Sequence, residues 1–120
     1  NLGLENVIFH GIQKNPYPFL KFADLFVLSS RYEGFPNVLL EAGACGTYSL
    51  ANNCKGGINE IIQPKINGEI SDIENHEAFA AKIVEILKQN HDSEAIKNSI
   101  QSRFSKEIIL DKYFEVFEKI

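Results

Sequence analysis

A chain of 120 residues forms one domain that buries somewhat under ~70% of its unfolded surface, enough for a core and too little for two lobes around a cleft. With 44% hydrophobic and 23% charged residues, a net charge of -4 and a pI near 5.3, disorder is excluded and no basic footprint for nucleic acid is present. No apolar run approaches the ~20 residues of a spanning helix, and no signal peptide is visible.

The opening Asn1-Leu2-Gly3 and the lack of Met throughout are what an excised piece of a longer protein shows. Cys45 and Cys54 form no C-x-x-C pair and read as free thiols of a reducing compartment. A cytoplasmic location fits best.

In chain order, Asn6 to Gly11 is a short apolar run closed by Gly and predicts a strand. Asn15-Pro16-Tyr17-Pro18 is a turn or helix start, because Pro is tolerated in a first helical turn, and Phe19 to Ala23 follow as a brief helix. Asp24 to Ser30 is a second strand whose continuously apolar middle fits cover on both faces. After a polar loop over Arg31 to Phe35, Pro36 opens a helix that runs to about Cys45 and stops at Gly46. Thr47 to Ala51 is a third strand, Ile58 to Ile62 a short helix or turn, and Asn67-Gly68-Glu69-Ile70 a turn into a last short strand.

Three helices finish the chain. The first follows Asn75, with Phe79, Ala80, Ile83, Ile86 and Leu87 on its apolar face. The second covers about Ser93 to Ser102. The third is capped by Ser105, with Ile109, Tyr113, Phe117 and Ile120 on one face and Phe114 alongside. Strands alternating with helices predict an α/β architecture, a parallel sheet with right-handed crossovers, in a single domain over 1–120.

The stretch that carries chemistry is Ser29 to Ala42, where the second strand ends and a helix begins. Ligands of open α/β sheets bind outside the carboxyl ends of the strands. A helix N-terminus there offers unpaired N–H groups and a positive dipole end, which favour a phosphate or another anion. Gly34 permits close backbone approach. Glu33 lies just before that helix and Glu41 about one turn inside it. A carboxylate only accepts, so it suits sugar hydroxyls, and two carboxylates at a diphosphate site favour a nucleotide sugar over a bare phosphate. The spacing alone favours the ordinary reading, a Glu placed in a first turn for the macrodipole.

With these residues in view, the chain resembles a known family. Glu33 and Glu41, with seven residues between them, match the E-x7-E motif of GT-B glycosyltransferases. The flanks Ala23 to Ser30 and Gly34 to Ala42, then Ala44-Cys45-Gly46-Thr47, Gly56-Gly57-Ile58-Asn59-Glu60-Ile61-Ile62, Asn67-Gly68 and Phe104-Ser105, resemble the retaining group called family 4 in order and over nearly the whole chain. The resemblance implies a partial, Rossmann-like donor-binding domain with its acceptor domain and first strands absent. It implies that Glu41 holds ribose hydroxyls and that Glu33 contacts the donor sugar near the reacting centre. The backbone of Gly34, Phe35, Pro36, Asn37, Val38 and Leu39 would cradle sugar and pyrophosphate. It implies a nucleoside diphosphate sugar as donor, with UDP-hexose or UDP-N-acetylhexosamine first in line, and no metal or other cofactor. The other partners it implies are a glycan or lipid-linked acceptor, the N-terminal domain of the same protein and the inner face of a membrane. The Cys54 to Ile61 loop looks most like members that assemble bacterial polysaccharides and glycans.

Three features depart from the family pattern. The Arg and Lys that meet the pyrophosphate are missing, and neither Arg31 nor Lys55 matches their positions. Tyr48 and Ile58 each stand where Pro is frequent. Charge-assisted hydrogen bonds to phosphate contribute ~1.5–3 kcal/mol each, so losing two weakens donor binding by roughly two orders of magnitude or more. A reading of another class is a non-catalytic module that binds a nucleotide or a partner.

The remaining residues with chemistry have ordinary readings beside functional ones. His10 and Gln13 could line a site or simply end a strand. Tyr32 could stack on a ligand or act as a packing lid, and Asn37 could cap the helix. Asn59 and Glu60 shape the short helix. Cys45 is read as core and Cys54 as loop packing. His76 and His91 lack metal-ligand spacing.

Overall fold

The computed structural model describes residues 5–11, 14–32, 34–54 and 56–104. In chain order the elements are α1 (Tyr17–Phe22), β1 (Phe26–Leu28), α2 (Asn37–Ala44), β2 (Ser49–Asn52), α3 (Ile58–Ile61), β3 (Gly68–Ser71), α4 (His76–Leu87) and α5 (Ser93–Phe104). The three strands form one parallel sheet in the order β1-β2-β3, with Phe26 opposite Ser49 and Asn52 opposite Ser71. This is the α/β architecture expected from the alternation of strand and helix patterns.

Local chemistry sets the helix ends. Pro stands in the first turn of α1, where a missing N–H costs nothing. The Asn75 side chain accepts from the Ala78 N–H at 3.1 Å and starts α4, and Asp92 Oδ1 accepts from the Ala95 N–H at 3.1 Å and starts α5. Gly46 ends α2 at φ +81, a left-handed conformation that an L side chain rarely adopts.

Two apolar clusters fill the interior. Leu39, Ala51, Ile58, Ile61, Ile62 and Ile100 form one; Tyr48, Leu50, Phe79, Ile86 and Ile96 form the other. Adjacent Leu50 and Ala51 enter different clusters because successive strand side chains point to opposite faces. Helix α5 contributes Ile96 to one cluster and Ile100 to the other.

Four expectations are corrected. The apolar run 6–11 forms no strand: no described strand forms a ladder with it, and Phe9 is 94% exposed. An apolar run becomes a strand only where a ladder partner lies beside it. Cover on both faces belongs to β2, which is buried throughout, and not to β1, an edge strand with Val27 exposed. The strand expected from Thr47 starts at Ser49, because the Thr47 N–H still bonds Ala42 O at 3.0 Å as α2 unwinds. On α4, Phe79 and Ile86 are buried and Ile83 packs beside them, but Ala80 and Leu87 are exposed. The helix expected from Ser105 lies outside the described residues.

Candidate functional site

The carboxyl ends of the strands are tied together by one side chain. Asn52, the last residue of β2, is buried. Its Nδ2 donates to Ser30 O at 3.0 Å, just beyond β1, and its Oδ1 accepts from the Ile73 N–H at 2.9 Å, just beyond β3. The Asn53 N–H adds a bond to Ser71 O at 3.0 Å. Together these fix where the chain leaves β1 and so where α2 begins.

From Ser30 the chain turns through 31–36 into α2. Arg31 Nε lies 3.2 Å from Glu74 Oε1, an exposed ion pair that contributes little to stability. Tyr32 stands largely exposed and makes no packed lid. Gly34 is exposed, and its carbonyl accepts from the Gly57 N–H at 2.6 Å, which joins the loop after β1 to the loop after β2. The Phe35 ring meets Phe104 with centroids 6.0 Å apart. Pro36 is buried at the N-cap of α2 and makes no side-chain cap, since Pro has no side-chain acceptor to offer.

Along α2, Asn37 is exposed and Val38 half-buried. Leu39 is a core residue, and its N–H bonds Pro36 O at 3.0 Å, so its side chain does not face a ligand. Glu41 is half-buried one turn in from the helix start. Gly34 through Leu39 and Glu41 thus lie on one loop and the first turns of one helix, outside the carboxyl end of β1. Glu33, Gln13 and Lys55 lie outside the described residues. His10 sits against Phe19 on α1, ring centroids 4.5 Å apart. His76 is exposed in the first turn of α4, and Asn59 and Glu60 are exposed on α3.

Both cysteines are free and half-buried. Burial pushes the Cys45 thiol up from its ordinary value, and the Glu41 carboxylate adds to that shift, which keeps it a poor nucleophile. Cys54 packs against the first core cluster. Among the described residues no group of three His, Cys, Asp or Glu could hold a metal ion. No helix among them is long and apolar enough to cross a membrane.

Reading the sequence alone missed the residues that hold the loops. Arg103 donates from Nη1 to Glu60 O at 2.6 Å, from Nη2 to Ile61 O at 2.8 Å and from Nε to Ser99 O at 2.7 Å, so its guanidinium closes the C-terminal end of α3. Buried Asn67 donates to Ile61 O at 2.9 Å and Ser99 Oγ at 3.0 Å, and accepts from the Gln63 N–H at 2.8 Å. A polar residue ending an apolar strand, as at Asn52, was the available signal.

The opposite, amino-terminal end of the sheet holds a cavity of about 580 Å³, lined by Asp24, Thr47, Tyr48, Leu87, Asn90 and His91 among others. There the Tyr48 ring stacks on His91 with centroids 3.9 Å apart, and its hydroxyl donates to Glu69 Oε2 at 3.1 Å. His91 Nε2 lies 3.0 Å from Ile86 O. Both aromatic residues serve the fold at the amino ends of the strands, away from α2's first turn.

Comparison with known proteins adds a family. The sequence model described as "Glycosyl transferases group 1" matches residues 1–103. The chain is 32% identical over 122 residues to N-acetyl-alpha-D-glucosaminyl L-malate synthase of Bacillus anthracis, across 98% of this chain and 32% of that protein. Its fold matches the apo form of the lipopolysaccharide outer core galactosyltransferase WaaB with a TM-score of 0.83 at 24% identity, over 94% of this chain and 33% of that one. It also matches Anabaena Alr3699/HepE in complex with UDP, with a TM-score of 0.64 at 22% identity, over 85% of this chain and 29% of that one. The chain spans about a third of each of these proteins.

Proposed function

The chain belongs to the group 1 glycosyl transferases, and from that premise we propose that it is the donor-binding part of an enzyme that moves a sugar from a nucleoside diphosphate sugar to an acceptor. The observation that carries the reading is the start of α2. This helix begins outside the carboxyl end of β1, its N-cap residue Pro36 has no side-chain acceptor to cap it, and half-buried Glu41 lies one turn in. A helix N-terminus in that place favours the negative charge of a diphosphate. Glu41, an acceptor only, takes hydroxyl donors of the ribose. Gly34 to Leu39 supply the loop and backbone around the phosphates and sugar, and Glu33 is assigned to the sugar side, near the reacting carbon.

In the reaction the bond from the anomeric carbon to the diphosphate oxygen breaks and a bond to the acceptor oxygen forms. The nucleoside diphosphate leaves and the acceptor hydroxyl gives up its proton. We assign the enzyme to the retaining family 4 group with a GT-B arrangement, in which a second domain closes the site and carries the acceptor. On this reading the 1–120 domain by itself turns over negligibly, because acceptor placement and exclusion of water need both domains. UDP is the first nucleotide to test, carrying a hexose or an N-acetylhexosamine. The relative named for an N-acetylglucosaminyl product supports the latter sugar, and the neighbour bound to UDP supports the nucleotide. The acceptor is a glycan or lipid-linked saccharide of a bacterial surface polymer, met in the cytoplasm at the inner face of the membrane. No metal or other cofactor enters the proposed reaction.

Calorimetric titration of the full-length protein with UDP, UDP-glucose and UDP-N-acetylglucosamine tests this beside Glu41→Ala. Loss of the carboxylate contacts lowers affinity by roughly 10- to 100-fold. Affinity unchanged in the variant, or no binding of any nucleotide by the wild type, overturns the reading.

A further inference from the structure

We infer that Gly57 is a positioning residue for the donor site: it holds the Gly34–Pro36 loop against α3 and thereby sets where the first turn of α2 meets its ligand. The inference rests on the donor reading above. Gly57 is buried at the N-cap of α3, at φ -79 and ψ 5. Any residue adopts that φ, so the backbone conformation does not call for glycine. Space does. A Cβ on Gly57 would lie 2.7 Å from Phe35 Cδ2, 3.2 Å from Gly34 O and 3.4 Å from Phe35 Cα. The same residue donates its N–H to Gly34 O at 2.6 Å. A side chain at this point therefore has to push away the segment that its own N–H is holding.

The loop is held on a second side. The Phe35 ring lies against Phe104 at the end of α5, where the Arg103 guanidinium stands 4.8 Å from the Phe104 centroid. Arg103 in turn bonds the last carbonyls of α3. The short helix that Gly57 opens is thus anchored at its other end by the residue next to the ring that backs Phe35. Gly34 and Phe35 are fixed from two directions by groups that need touch no ligand themselves.

The test uses the full-length protein with Gly57→Ala, Phe35→Ala and the double variant, read by UDP titration and by backbone amide shifts and hydrogen exchange over 34–39. Gly57→Ala is expected to move those amide signals, raise their exchange rates and weaken UDP binding roughly tenfold, the loss of about one phosphate contact. In the Phe35→Ala background the same substitution is expected to cost less than threefold, because the 2.7 Å contact is gone. A merely structural glycine would add its full cost in both backgrounds. Unmoved amide signals overturn the inference whatever the ligand. Moved signals with unchanged UDP affinity overturn it while the donor reading stands. If no nucleotide binds even the wild type, the donor reading fails and takes this role for Gly57 with it. If Gly57→Ala does not fold, Phe104→Leu takes its place: it is expected to shift the 34–36 signals and weaken UDP binding in the same direction, and unmoved signals there overturn the inference.

Discussion

Replacing Asn52 by Ala removes both bonds that gather the carboxyl ends of the strands. The Ser30 carbonyl and the Ile73 N–H lose their partner together, and Asn52 itself is only 4% exposed, so water replaces it poorly. Leaving a buried donor or acceptor unmade costs about 1–3 kcal/mol for each group. The edge position of β1 lets water reach some of the space, which places the sum at about 2–4 kcal/mol. For a domain of this size that lowers the melting midpoint by at least ~8 °C. Urea unfolding followed by circular dichroism measures it, and the slope against urea stays the same because the exposed area is unchanged. Asn52→Asp sharpens the test. The carboxylate keeps the bond from Ile73 N–H but turns an acceptor toward the Ser30 carbonyl. It is therefore less stable than Asn52→Ala at neutral pH. Repulsion raises the folded-state pKa of this Asp above its unfolded value near ~3.9. Its stability is thus fully present below that value and is lost as the pH rises through the folded pKa. The gap between Asp and Ala variants should close as the pH falls from 7. An Ala variant within ~0.5 kcal/mol of wild type, or an Asp variant that loses stability relative to Ala on acidification, would refute the reasoning.

Arg103→Met takes the guanidinium from the Glu60 carbonyl and leaves Ile61 O with Asn67 as its remaining side-chain donor, and it is expected to cost about 1–3 kcal/mol in the same unfolding assay, with Arg103→Lys recovering only part of it. Burial, with Glu69 beside it, pushes the Tyr48 hydroxyl well above its ordinary value of 10.0. Its contribution to stability is complete below that value and lost as the pH rises toward the folded pKa. Stability scanned from pH 8 to 11 should therefore fall more steeply above ~10 in wild type than in Tyr48→Phe. In a Cys54→Ser background, Cys45 is expected to react with a disulfide reagent at neutral pH several-fold more slowly than a free thiol, because only the thiolate attacks; a rate equal to that of free cysteine would count against the burial that raises its pKa.

What the sequence made legible follows from range. The start of α2 at Pro36, its stop at Gly46 and the start of α4 after Asn75 are decided by residues within one turn, and the structure has them where the pattern put them. The apolar run at 24–30 marks a strand for the same reason, though only Phe26 to Leu28 keep ladder partners. The groups that hold the candidate site are of another kind. Asn52 reaches Ser30 across 22 positions, Asn67 reaches Ser99 across 32, and Arg103 reaches Ile61 across 42. Nothing in the local pattern of a strand end or a last helical turn says where such a side chain will find its acceptor. The run at 6–11 failed in the reverse way: its composition suits a strand, but no described neighbour completes the ladder.

The placing of α5 has a consequence in time as well as in space. Helix α2 rests against α5, and Leu39 and Ile100 share one apolar cluster. At cellular synthesis rates the ribosome needs roughly 2–10 s to make the stretch between Ala44 and Ser93. Throughout that interval the inner face of α2 is made and its lid is not. The nascent chain therefore carries the α5-facing side of α2 unshielded until the last described helix emerges, and this face is where a chaperone has several seconds to hold it.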